Sequence, residues 1–190
     1  MKLSDYLTES ATITAATASV PGQDKAMANA IKWTSAALAA GLPVLVCGNG
    51  GSASDAEHIA GELVGRFLKE RRGLNVISLV SNPAVLTAWS NDYDYASVFA
   101  RQVEAHGRPG GVLIALSTSG NSANIVQAAE AARQEQMKVI AFTGEGGGKL
   151  APLAHALLTV PSKQTPRIQE GHLALYHYLC EMVELKATGG

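Results

Sequence analysis

The chain has 190 residues, which is enough for one α/β domain with a substantial core. Hydrophobic residues make up 47% of it and charged residues 16%, a composition that excludes a disordered polyelectrolyte. Because 15 Lys and Arg residues balance 16 Asp and Glu residues, the net charge is −1, which predicts no nucleic-acid partner.

The first predicted element is helical, from Tyr6 to Ala40, with an interruption near Pro21 and Gly22. Its small apolar residues have too little bulk to fill a core alone, so we expect it to pack against other helices, including those of a second subunit. Five short apolar runs follow, at 43–47, 74–80, 111–117, 137–143 and 156–160. Helices are predicted between them at 52–68, 83–90, 94–105, 121–135 and after Gly148, and a last one from Thr165 to about Lys186.

This alternation of strands and helices predicts the fold class. Strands that are apolar on both faces need helices on both sides, which indicates a three-layer, flavodoxin-like α/β domain with a parallel sheet. We predict one domain over 1–190, in which 1–40 serves oligomerisation and 41–190 forms the α/β core. The two cysteines, Cys47 and Cys180, lie far apart, and no apolar run approaches the roughly 18 residues of a membrane span. Both features favour a cytoplasmic protein without a membrane partner.

Two loops that follow predicted strands are suited to holding a phosphate. The first strand runs into CGNGGS at 47–52, whose glycines permit a sharp turn and a close approach of backbone N–H groups. The third runs into STSGNS at 117–122, where hydroxyls and a helix N-terminus can hold an anion without Lys or Arg. Each loop alone is also explained as a helix cap, with Ser52 and Asp55 as a capping-box-like pair. With a strand order of 2-1-3-4-5, however, both loops flank the topological switch point, where ligands bind.

The stretches CGNGGS, STSGNS and RIQEGHLALYH (167–177) resemble the sugar isomerase (SIS) fold and, within it, the phosphoheptose isomerases. HIAGELVGR at 58–66 and TGEGGGKL at 143–150 extend the resemblance over nearly the whole chain. It implies a five-stranded sheet of order 2-1-3-4-5 with an extra N-terminal helix. It also implies the interconversion of sedoheptulose 7-phosphate and D-glycero-D-manno-heptose 7-phosphate, the entry to bacterial ADP-heptose and lipopolysaccharide, by a homotetramer with zinc in its active site.

The same resemblance implies roles for individual residues. The sugar phosphate would be bound by Asn49, Gly50, Gly51, Ser52, Glu62, Asn91, Asp92, Ser117, Thr118, Ser119, Ser122 and Gln169. One zinc ion per subunit would be held by His58, Glu62, Gln169 and His177. Glu62 and His177 would also be the catalytic acid/base groups.

Elementary chemistry supports part of this set. An aldose–ketose isomerisation needs a base over two adjacent carbons and a second acid/base group at their oxygens. His58 and Glu62 are four residues apart on one predicted helix, so they share a face, although such a pair is often only a surface ion pair. Because this helix begins at the first loop, the pair lies within about two to three turns of the phosphate site.

Helix geometry leads us to expect active sites shared between subunits. Gln169 and His177 are eight residues apart on one helix, about 12 Å along its axis, whereas two ligands of one zinc ion lie within about 4 Å. We therefore predict that the His58–Glu62 pair of one chain works with His177 of another.

Some interpretations stay open at this stage. One is a catalytically silent SIS protein that binds a replication initiator, like the DnaA initiator-associating proteins; another is an SIS isomerase for a different sugar phosphate. Glu62 favours an enzyme, because a binding protein needs no carboxylate four residues after His58. The sequence also leaves open whether Arg66, Arg167 and His172 line the site.

Overall fold

The strands are β1 (Val44–Cys47), β2 (Val76–Ser78), β3 (Val112–Ser117), β4 (Lys138–Thr143) and β5 (Ala156–Thr159). In the computed structural model, which describes residues 2–189, they form a parallel sheet in the order β2-β1-β3-β4-β5. The predicted strand order is confirmed. In this order β1 and β3 are neighbours, so the loops 48–52 and 117–122 both follow the carboxyl ends of adjacent strands.

The helices are α1 (Leu3–Thr17), α2 (Gln23–Ala39), α3 (Gly51–Val64), α4 (Pro83–Asp92), α5 (Val98–His106), α6 (Ala123–Gln134) and α7 (Thr165–Ala187), with a 3₁₀ helix at Gly148–Leu153. One apolar cluster joins Val46 and Ile114 of the sheet to α2, α3 and α7. A second joins Leu45 and Leu113 to α5 and α6. Since neighbouring residues of a strand point to opposite faces, the sheet is covered on both sides, and the predicted three-layer α/β fold is confirmed.

The helix predicted at 52–68 ends early, at Val64, and tertiary contacts explain why. The buried carboxylate of Glu184 in α7 accepts hydrogen bonds from the consecutive N–H groups of residues 67–69, at 2.9, 2.6 and 2.9 Å. Arg71 donates to two carbonyl oxygens at the end of α3. These partners replace the helical hydrogen bonds, and local periodicity does not reveal them.

The interruption predicted near Pro21 and Gly22 is confirmed: the segment 6–40 forms two helices, and the turn between them contains Gly22 with a φ of +81°. The start of the last helix differs slightly from the prediction. Helix α7 has Gln164 as its N-cap residue, one position before the predicted Thr165. Within residues 2–189, none of the helices is both long and apolar enough to span a bilayer.

Candidate active site

The first loop, 48–52, turns sharply from β1 into α3, and glycines make the turn possible. Gly50 has a φ of +56°, and a Cβ on Gly48 would collide with the carbonyl oxygen of Ser52. Gly50 is also the N-cap residue of α3, so no side chain caps this helix within the described residues. The Ser52–Asp55 capping box is therefore not formed, and a cap does not explain the loop.

The second loop, 117–122, leads from β3 into α6. Gly120 has a φ of +65°, and a Cβ there would collide with the carbonyl oxygen of Gly147. Ser122 is the N-cap residue of α6, but its hydroxyl lies 3.2 Å from that of Ser117 and makes no cap hydrogen bond in the part of the chain described. A cavity of about 330 Å³ opens beside this loop. Its lining includes four hydroxyl residues, Thr118, Ser119, Ser162 and Thr165.

Asn49 ties the two loops together. Its side-chain amide exchanges two 2.8 Å hydrogen bonds with that of Asn124, which is 3% exposed, near the start of α6. Tyr95, from the segment between α4 and α5, donates to Asn49 Oδ1 at 2.9 Å. A partly buried amide pair of this kind holds the first loop at a fixed distance from the start of α6, because separating the two amides would leave polar groups without partners.

His58, Glu62 and His177 come together within one chain. Their candidate ligand atoms all lie within 4.8 Å of one another, and His58 Nε2 is 2.9 Å from Glu62 Oε1. The imidazole rings of His58 and His177 meet edge to face with centroids 5.0 Å apart. Two imidazoles and a carboxylate form a donor set that zinc takes in catalytic sites, with a fourth position left for another ligand. After small side-chain movements these residues fit a zinc ion.

This geometry corrects one prediction. His177 does not need to come from another subunit, because α7 brings it to the His58–Glu62 pair of its own chain. Gln169 lies elsewhere: its side-chain amide occupies the place that a Cβ of Gly51 would take, at the first loop. Within one chain, Gln169 is thus a neighbour of the first loop, about 12 Å along α7 from His177.

Asn91 and Asp92 are the last residues of α4 and are exposed. Asn91 donates to Asp92 at 2.9 Å, and Asp92 lines a separate groove of about 400 Å³ together with Trp89 and Arg101. Among the hydrogen bonds of residues 2–189, neither side chain reaches either loop. Their contact with substrate stays a prediction.

The structure assigns other surroundings to three residues that the sequence left open. Arg66 forms an exposed ion pair with a glutamate four residues later. Arg167 is 2% exposed and donates to Glu9 at 3.2 Å, which fastens α7 to α1. His172 is fully buried and donates from Nε2 to the Thr143 carbonyl oxygen at 3.1 Å; burial lowers the pKa of His172 to about 4.

Sequence reasoning missed Tyr176, the hydrogen-bond partner of His58 Nδ1. The fully buried Tyr176 places its hydroxyl 2.8 Å from His58 Nδ1 and 3.4 Å from Asp55 Oδ1. Burial raises the pKa of Tyr176 above its usual range, and the Asp55 charge raises it further. Burial also raises the pKa of Asp55, against the lowering effect of the hydrogen bond from Tyr176. The only sequence signal was the place of Tyr176 directly before His177.

Comparisons with known proteins identify the family of this chain. Residues 5–144 match the family model described as the SIS domain. The phosphoheptose isomerase of Rhodospirillum rubrum is 55% identical over 159 residues, which are 84% of this chain and 85% of that protein. Solved phosphoheptose isomerases from Neisseria gonorrhoeae and Francisella tularensis are each 38% identical with a TM-score of 0.89, and the matches cover 96% and 95% of both chains. The chain therefore belongs to the SIS domain family and, within it, to the phosphoheptose isomerases.

Proposed function

We propose that this chain interconverts sedoheptulose 7-phosphate and D-glycero-D-manno-heptose 7-phosphate through an enediol, the first step towards ADP-heptose and lipopolysaccharide. The observation that carries the proposal is the grouping of the Glu62 carboxylate with His58 and His177 at the surface of a fold shared with phosphoheptose isomerases. A carboxylate beside imidazoles supplies the two acid/base groups that the reaction needs.

In this proposal the two loops hold the phosphate. Neither loop contains Lys or Arg, so hydroxyls, backbone N–H groups and the helix N-termini of α3 and α6 balance the negative charge. The binding residues are Asn49, Gly50, Gly51, Ser52, Ser117, Thr118, Ser119, Ser122 and Gln169, with Asn91 and Asp92 on the sugar. The Asn49–Asn124 pair keeps the loops at a fixed distance. The loops therefore do not need to rearrange when the phosphate binds.

Proton transfer then requires one base at carbon and one group at oxygen. In the ketose-to-aldose direction, the Glu62 carboxylate takes the proton from C1 while the carbonyl oxygen at C2 gains a proton, which gives the enediol. Glu62 returns its proton to C2 as the hydroxyl on C1 loses its own. His177 exchanges protons with the two oxygens, so no atom is gained or lost overall.

We further propose one zinc ion per subunit, held by His58, Glu62 and His177 with Gln169 of a neighbouring subunit. When bound, it would polarise the sugar oxygens as a Lewis acid. The side chain of His58 is 42% exposed, which leaves the cluster open to a neighbour, and Leu173 of α7 is also exposed. These exposed groups support an association of subunits, which we propose to be a homotetramer with shared sites. Two buried free cysteines, Cys47 and Cys180, support a cytoplasmic location.

Turnover of a panel of sugar phosphates tests the function. We expect NMR of the purified protein with sedoheptulose 7-phosphate to show an aldose product, and slower conversion of fructose 6-phosphate and an amino-sugar phosphate. Faster conversion of another member of the panel would indicate an SIS isomerase for that sugar. Binding without turnover of any member would contradict the enzyme and favour the silent, initiator-binding alternative.

A further inference from the structure

Tyr176 links the interior of the protein to the candidate zinc cluster, and the mechanism above does not use it. Its hydroxyl is 2.8 Å from His58 Nδ1 and 3.4 Å from Asp55 Oδ1. His58 Nε2 in turn contacts Glu62 at 2.9 Å. Asp55 Oδ2 is buried and has no hydrogen-bond partner in the described part of the chain. A continuous line of polar groups thus runs from Asp55 through Tyr176 and His58 to Glu62.

We propose that Tyr176 is a positioning residue that fixes the ring of His58 and allows its Nε2 to bind a metal ion; this inference rests on the zinc site proposed above. A metal-bound imidazole keeps its proton on the other ring nitrogen and donates it to a nearby oxygen, which orients the ring and makes it a better ligand. Tyr176 is the oxygen in reach of Nδ1.

A hydroxyl is suited to this position because it both donates and accepts. When Nε2–H donates a hydrogen bond to the Glu62 carboxylate, Nδ1 accepts a hydrogen bond from the Tyr176 hydroxyl. When Nε2 binds a metal, Nδ1–H donates a hydrogen bond to the Tyr176 oxygen. The Tyr176 hydroxyl then donates a hydrogen bond to Asp55, whose ionised carboxylate can only accept. The tyrosine therefore satisfies His58 both with and without the ion.

Ring packing supports the same role. Tyr176 meets His58 edge to face at a centroid distance of 5.4 Å, and meets His177 in the same way at 5.0 Å. Both imidazoles of the cluster are thus held by one buried ring. A buried tyrosine often needs only some partner for its hydroxyl, so the test must separate metal binding from stability.

Zinc affinity of metal-free protein provides that test. Tyr176→Phe removes only the hydroxyl, and Tyr178→Phe removes one from a half-exposed ring two residues further along α7. In competition with a chromophoric chelator, we expect Tyr176→Phe to bind Zn²⁺ about 10- to 100-fold more weakly than wild type and Tyr178→Phe to be unchanged. Excess zinc should restore turnover of Tyr176→Phe with an unaltered KM.

Equal zinc affinities of Tyr176→Phe and wild type, or equal losses in both variants, would overturn the inference. Zinc binding by the wild type tests the proposed zinc site separately. If the wild type does not bind Zn²⁺, the proposed zinc site is wrong, and this inference fails with it. A measurement on the wild type alone keeps the inference testable if Tyr176→Phe does not fold. In ¹⁵N NMR of the zinc-loaded protein, His58 should carry its proton on Nδ1; a proton on Nε2 would overturn the inference.

Discussion

Three glycines shape the two loops that are proposed to hold the phosphate. A Cβ on Gly48 would collide with the backbone of Ser52, one on Gly51 with the amide of Gln169, and one on Gly120 with the backbone of Gly147. Because these glycines have no side chain, each loop can pack closely against its neighbours. The hydroxyl and N–H groups of the loops are then free to contact a ligand. In the proposed function, hydroxyls, N–H groups and two helix N-termini would balance the charge of a phosphate without a cation.

Ser122 is the loop residue whose removal tests this account best. We expect Ser122→Ala to weaken binding of sedoheptulose 7-phosphate about tenfold or more, because a hydrogen bond to a charged group contributes roughly 1.5–3 kcal/mol. The melting temperature should change little, since the Ser122 hydroxyl has a hydrogen bond only with Ser117 among the described residues. Calorimetric titration measures the affinity, with Ser4→Ala at an exposed position of α1 as the control. Equal affinities would mean that this hydroxyl does not bind phosphate.

At the scale of elements, α7 organises the site. This 23-residue helix carries Gln169 to the first loop, His177 to the candidate metal cluster and Glu184 to the segment after α3. Its buried face packs on the sheet, so these groups are set by a rigid element. Glu184 also determines where α3 ends, and Glu62 lies in the last turn of α3.

The pH dependence of stability should show the Glu184 contact. Burial by itself would raise the pKa of Glu184, but hydrogen bonds from Leu68, Phe67 and Lys69 and the charge of Arg71 lower it below the usual range. A folded-state pKa below the unfolded value of about 4.3 means that this stabilisation is complete above that pH and is lost as the pH falls through the folded-state pKa.

We therefore expect Glu184→Gln to lower the free energy of unfolding at pH 7 by about 3 kcal/mol or more, because Arg71 loses its buried partner. Urea unfolding from about pH 7 down to pH 3 should show the gap between variant and wild type narrowing below about pH 4.3. Glu130→Gln, at an exposed position on α6, is the matched control. A gap that is constant over this range would contradict the role of the ionised carboxylate.

Local patterns were enough to predict the strand order, the two loops that lead from β1 into α3 and from β3 into α6, and the shared face of His58 and Glu62. The turn residues between a strand and a helix, and the spacing of residues along a helix, are properties of short segments. They are enough to predict strand ends, loops and shared helix faces. The positions of Tyr176, Arg167 and Glu184 could not be predicted, because each depends on which distant segment packs against α7. The same limit led to the wrong expectation for His177, since spacing along α7 does not say how α3 lies beside it.

At the scale of the whole molecule, the chain leaves its candidate catalytic cluster open. His58 is 42% exposed, and Gln169 lies at the first loop of its own chain. A neighbour that supplies Gln169 to the cluster would bring its glycine loop as well, because the Gln169 amide rests on Gly51. Each proposed centre would then combine the acid/base groups of one chain with the phosphate loop of another.

Hybrid oligomers test this arrangement. After dissociation and reassembly, Glu62→Gln mixed with Gln169→Ala should recover part of the activity, because some sites then receive Glu62 from one chain and Gln169 from the other. Glu62→Gln mixed with His177→Ala should recover none, since both groups come from the same chain. Native mass spectrometry confirms that hybrids form. Recovery by the second mixture, or none by the first, would contradict the proposed sharing.

Deuterium transfer tests the central claim, that Glu62 moves a proton between the carbons of a heptose phosphate, most directly. Wild-type protein with sedoheptulose 7-phosphate in D₂O should give an aldose that carries deuterium at C2, because a carboxylate base exchanges its proton with solvent. Glu62→Gln should slow both deuterium exchange and product formation by at least about a hundredfold. Glu57→Gln, at an exposed position of the same helix, should slow neither process. An aldose formed without deuterium at C2, or near-normal exchange by Glu62→Gln, would contradict the account.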